Sequence, residues 1–109
     1  MHTIAIRREV YEKNRWIAQS LFKAFCEAQA KTYHDLNQTA ALKAMVPWLT
    51  QDIEEARAEM GDDYWAYGLQ PNYKVLETFL RYHYEGGLSK RLLKPEELFA
   101  PETLEAFKI

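Results

Sequence analysis

Glycine and proline are placed so unevenly along this chain that they set its class before any other feature does. All four glycines, Gly61, Gly68, Gly86 and Gly87, lie beyond residue 60, and Pro47 is the one strong breaker ahead of them. Sixty residues so rarely interrupted favour helix, because glycine and proline carry the largest penalties in a helix interior, about 1 and about 3 kcal/mol. Asn14 reads as a helix cap, and Ile17, Leu21, Ala24, Phe25 and Ala28 then recur at three- and four-residue spacing. That stripe predicts a long helix over about 15–37, continuing through 38–45 after a bend near Asn37. Val46-Pro47 ends it, since the residue before a proline is pushed out of the α region. Leu49, Ile53, Ala56 and Met60 predict a second helix over 47–60, stopped by Gly61. Pro71 opens a third over 71–86, whose stripe is Leu76, Phe79, Leu80 and His83 and whose end is Gly86-Gly87. Pro95-Glu96-Glu97 and Pro101-Glu102 each put acids at a positive helix end and predict short helical turns over 95–106.

The first residues differ. Thr3-Ile4-Ala5-Ile6 has the alternating, β-branched character of a strand over 3–7, followed by a helical turn around Val10-Tyr11. A lone strand cannot satisfy its own N–H and C=O groups, so this one is expected to pair with a second copy of the chain or with a sheet outside this sequence. The fold class read from the residues is therefore mainly α with one short N-terminal strand, in a single segment of 109 residues.

Composition excludes several functions. A length of 109 residues allows one small domain. Lys+Arg 14 against Asp+Glu 16 gives a net charge of -2, without the basic excess that phosphate neutralisation needs, so nucleic acid is not an expected partner. The acids concentrate in residues 51–109, an asymmetry too mild to imply a partner. The single cysteine, Cys26, can form neither an internal disulfide nor a cysteine zinc site. No stretch approaches the roughly 20 apolar residues of a membrane span, and the first residues do not read as a signal peptide, so a cytoplasmic location and no membrane partner are expected.

Few side chains carry chemistry in this pattern. His2, His34 and His83 lie far apart without metal-ligand spacing, so no metal or cofactor is expected. His34 and His83 read as ordinary helix residues, whereas His2 precedes the strand, and strand ends are where clefts of α/β sheets gather polar groups. The stretch Gly61-Asp62-Asp63-Tyr64-Trp65-Ala66-Tyr67-Gly68 sets three aromatics and two acids between glycines. Such a loop can present flat faces to an aromatic ligand. Its plainer reading has Asp62 or Asp63 capping a turn while Trp65 and Tyr67 fill a gap between helices. Arg7-Arg8 can hold a carboxylate or simply be solvated. Trp48 is either core or cleft wall, and Cys26 beside Phe25 behaves as a small hydrophobe.

Several runs are more specific. Arg7-Arg8-Glu9-Val10-Tyr11, Trp16-Ile17-Ala18-Gln19-Ser20-Leu21, Lys23-Ala24-Phe25-Cys26-Glu27-Ala28, Pro47-Trp48-Leu49, Gly61-Asp62-Asp63-Tyr64-Trp65 and Pro95-Glu96-Glu97-Leu98-Phe99-Ala100-Pro101-Glu102-Thr103 resemble the C-terminal third of the 4,5-dihydroxyphthalate decarboxylase family. Ala66 and Arg15 depart from its pattern, in which prolines are usual. The resemblance implies a fragment of a two-lobed α/β fold like the type II periplasmic solute-binding proteins, with the Thr3-Ile6 strand normally paired to a sheet encoded upstream. It also implies loss of CO2 from a dihydroxylated aromatic acid, with the fragment inactive by itself. His2 is then the first candidate for proton donor or carboxylate partner, and Trp65 and Tyr67 for contact with the ring. A small aromatic acid is the expected ligand, and self-association through the strand or the apolar helix faces is the expected assembly. The same architecture also serves solute capture for transport, and a free-standing helical interaction domain is a third possibility.

Overall fold

The computed structural model describes residues 2–105, and helices account for about 60% of these. In order these are α1 (Arg8–Lys13), α2 (Trp16–Leu36), α3 (Leu49–Met60) and α4 (Tyr73–Glu85), with 3₁₀ turns at Gln70–Asn72, Pro95–Leu98 and Pro101–Thr103. The helical majority follows the glycine and proline punctuation. No strand forms among the described residues, which corrects the strand expected over 3–7. Residues 2–7 are irregular and Ile4 is 66% exposed. The physical reason is the one the sequence raised: a β ladder needs a partner edge, and no described residue supplies one.

The helix boundaries follow local chemistry. Asn14 closes α1, with its backbone N–H on the Val10 and Tyr11 carbonyls at 3.1 Å, and its side-chain amide reaches back to Val10. It therefore serves the end of α1, and the long helix α2 begins two residues later. The continuation expected through 38–45 is not helical. Leu42 and Met45 there are exposed, and a short helix without tertiary burial of its apolar face is marginal in water. α3 stops at Gly61, whose φ of 87° is a conformation that side chains with a Cβ avoid. At the end of α4 the Gly87 N–H bonds Tyr84 O at 2.9 Å and the Leu88 N–H bonds His83 O at 3.0 Å, with Gly87 at φ 74°. This paired termination is the one a glycine just past a helix makes cheap.

The chain divides into two compact units, Met1–Lys23 with Tyr67–Ile109, and Ala24–Ala66. In the first, α4 packs on the turns Gln70–Asn72 and Pro95–Leu98 and buries Leu76 and Leu80, while Ala18, Leu69 and Pro95 are buried as well. Phe79, expected on the same stripe, stays largely exposed and stacks on His83 at 5.7 Å. In the second unit Ile53 of α3 is the one buried hydrophobic among the described residues. With 48% of the sequence hydrophobic, burial this sparse leaves many apolar helix positions, Trp16, Phe25, Val75 and Phe79 among them, facing outward.

Polar ties complete the first unit. The Tyr11 phenol donates to Glu102 Oε2 at 2.7 Å across 91 residues of sequence, and the Arg15 guanidinium lies 3.7 Å from Glu102 and 5.5 Å from the centre of the Tyr11 ring. That hydrogen bond, before any other influence, holds the Glu102 carboxyl below the usual range and raises the Tyr11 phenol. Glu97 accepts from the Lys94 backbone N–H at 2.7 Å and pairs with Arg91 at 2.8 Å, which lowers its carboxyl too.

Two outcomes are expected. Leu80, 5% exposed, truncated to alanine should cost about 2–5 kcal/mol in urea unfolding, while Met45→Ala at a fully exposed position should cost no more than about 0.5 kcal/mol. Because Glu97 and Glu102 titrate lower in the folded state, their stabilisation is complete above the ordinary glutamate range and is lost as pH falls through their lowered values. Thermal unfolding of Glu102→Gln should accordingly show a weaker acid dependence than the unsubstituted chain, and an unchanged pH profile would contradict the tie.

Candidate functional site

The loop after α3 takes its shape from α2. Gln29 and Tyr33 stand four residues apart and so share one face of that helix. The Trp65 N–H donates to the Tyr33 hydroxyl at 3.0 Å, and the Gln29 side-chain amide donates to the Trp65 carbonyl and to the Tyr33 hydroxyl. Tyr33 in turn donates to Asp63 Oδ1 at 3.4 Å, and its ring lies 5.0 Å from that of Tyr64. Burial, before any other influence, pushes the Tyr33 phenol up, the Trp65 N–H draws it back, and the Asp63 charge adds to the rise. The phenol is therefore protonated across the neutral range and available to both neighbours.

At the other end of the loop, Arg57 of α3 turns Nε and Nη2 onto Asp62 Oδ1 at 3.0 and 2.7 Å, and Nη1 onto Asn37 Oδ1 at 3.3 Å. Tyr33, Asn37, Arg57, Asp62 and Tyr64 line a cleft of about 240 Å³ open to solvent. Its guanidinium is already paired, and Asp62 is 88% exposed, so this ion pair contributes at most about 1 kcal/mol. The Cys26 thiol is raised by burial and then by Asp63, which keeps it protonated and poorly nucleophilic. Among the described residues no three His, Cys, Asp or Glu side chains gather as a metal site, and no helix is long and apolar enough to cross a membrane.

The expected site residues are distributed over both units. His2 is exposed in the irregular N-terminal segment of the first unit, and Tyr67 is exposed in the same unit. Trp65 belongs to the second, its backbone tied at both N–H and C=O while its indole is 63% exposed. The indole thus does not fill a gap between helices, as the plainer reading of the loop had it. The sequence marks Asn37 only as a bend and gives Gln29, Tyr33 and Arg57 no role. The four-residue spacing of Gln29 and Tyr33 was visible there, but their partner in the loop lies more than thirty residues away.

The chain is mainly helical among its described residues. No family model matches it. It is 39% identical, over all of its 109 residues, to the 4,5-dihydroxyphthalate decarboxylase of Comamonas testosteroni. That identity relates the chain to the 4,5-dihydroxyphthalate decarboxylase family, as the residue runs suggested. The chain spans about a third of the length of this curated relative.

The Tyr33 network has a measurable signature. A raised phenol stabilises the fold fully below its unfolded value near 10 and loses that contribution as pH rises through its folded value. Alkaline absorbance titration of Tyr33→Phe should therefore lack one of the late-ionising tyrosines of the unsubstituted chain. Loss of an early-ionising component instead would sink the account.

Proposed function

We propose that this chain forms part of an aromatic-acid decarboxylase that releases CO2 from 4,5-dihydroxyphthalate or a closely similar dihydroxylated aromatic dicarboxylate. The observation that carries the reading is the 39% identity over the chain's whole length to a protein of that name. The reaction breaks the bond between ring and carboxylate carbon; CO2 departs, the bonding pair stays on the ring carbon, and a proton must be delivered there. Binding that holds the carboxylate out of the ring plane, and an acid placed at the ring carbon, are what a protein can contribute.

His2 is the proposed acid, since imidazole is the side chain that gives and takes a proton near neutral pH, and its exposed position leaves it accessible. Trp65 and Tyr67 are proposed to face the substrate ring, for which exposed indole and phenol rings are suited. In the two-lobed architecture that the family resemblance implies, the ligand lies between lobes, so this chain holds only part of the site. The 109-residue chain is then inactive alone, because differential stabilisation of a transition state needs groups around the whole substrate. The outward-facing apolar helix positions fit a segment that works with further polypeptide.

A chimera in which this chain replaces the matching third of the Comamonas testosteroni relative tests the reading. It is expected to release CO2 from 4,5-dihydroxyphthalate, while the 109-residue chain alone releases none above the uncatalysed rate. His2→Ala in the chimera should lower kcat by about a hundredfold, within the usual range for loss of a general acid. If His2 only orients the carboxylate, His2→Gln retains activity and His2→Ala mainly raises KM. A folded chimera that binds the acid without releasing CO2 would replace the decarboxylase reading with solute capture.

A further inference from the structure

The loop that carries Trp65 is fixed in an unusual place. Two side chains one turn apart on α2 take the two ends of a single residue's backbone: Tyr33 accepts from the Trp65 N–H at 3.0 Å, and Gln29 donates to the Trp65 carbonyl. The two are also joined to each other, since the Gln29 amide reaches the Tyr33 hydroxyl, and the Tyr33 hydroxyl closes the set on Asp63. Both are half-buried, whereas the indole that follows from the clamped backbone is 63% exposed. A large aromatic whose main chain is ordered before any ligand arrives has little conformational freedom left to lose on binding.

We infer that Gln29 and Tyr33 are positioning residues that hold the Trp65 backbone so that its indole is presented, already ordered, to the ring of an aromatic acid substrate. This rests on the proposed decarboxylase reading for the identity of the ligand; the clamp itself rests on the hydrogen bonds alone. Tyr33→Phe keeps the ring beside Tyr64 and removes the acceptor of the Trp65 N–H, and Gln29→Ala removes the donor to its carbonyl. Neither substitution alters the indole itself.

The test has two arms. In the 109-residue chain, hydrogen exchange at the Trp65 amide should quicken about tenfold or more in Tyr33→Phe, with the α4 amides unchanged. In the chimera described above, Gln29→Ala and Tyr33→Phe should each raise KM for 4,5-dihydroxyphthalate about five- to tenfold with kcat altered less than twofold. Trp65→Ala should reproduce that rise and Trp65→Phe, which keeps a flat ring, should recover most of it. Unchanged exchange at Trp65 overturns the clamp. Quickened exchange with KM unmoved, in a chimera that still releases CO2, overturns the positioning role and leaves the decarboxylase reading standing. A folded chimera with no turnover overturns that reading, and with it the substrate side of this inference.

Discussion

Burial by a single face of α4 is the constraint on which the first unit depends. Leu76 and Leu80 stand four residues apart, and the turns at Gln70–Asn72 and Pro95–Leu98 pack against the helix that carries them. Pro95 is itself buried, so a residue that would break a helix interior serves here as an apolar contact at the start of a turn. Because the hydrophobic contribution is about 25 cal/mol per Å² of apolar surface removed from water, a unit with so few buried side chains leans on each of them.

Where apolar burial is sparse, hydrogen bonds and ion pairs fix the geometry. Tyr11 and Arg15 converge on Glu102 and bring the two ends of the described chain to one carboxylate. Glu97 does the same locally by binding both the Lys94 N–H and the Arg91 guanidinium. In the second unit the loop is tied by Tyr33 and Gln29 at Trp65 and by Arg57 at Asp62. Each tie is modest by itself. Together they select one arrangement of segments that hydrophobic burial leaves underdetermined.

This balance bears on function. In the second unit such ties orient groups without enclosing them: the cleft beside Tyr33 is open and the Trp65 indole is exposed. The chain spans about a third of the length of the decarboxylase it resembles. Where a reacting bond is not shielded from solvent, charge placed near it is screened by water.

The sequence by itself determined where helices form and where α3 and α4 stop, because glycine, proline and apolar spacing act on the nearest turn of chain. Gly61 and Gly87 end α3 and α4 with positive φ, and Leu76 and Leu80 face inward, as their spacing required. It also carried the family resemblance, which resides in runs of residues. Tertiary structure decided the rest. The residues of 3–7 have strand chemistry but no partner edge, Leu42 and Met45 have helical spacing but nothing to be buried against, and Phe79 shares a stripe with Leu80 yet stays exposed. The Tyr33 and Gln29 contacts to Trp65 were equally hidden, since a hydrogen bond across more than thirty residues depends on how the loop after α3 meets α2. Local rules fix which conformation a segment prefers; whether that preference is realised depends on the surface that meets it.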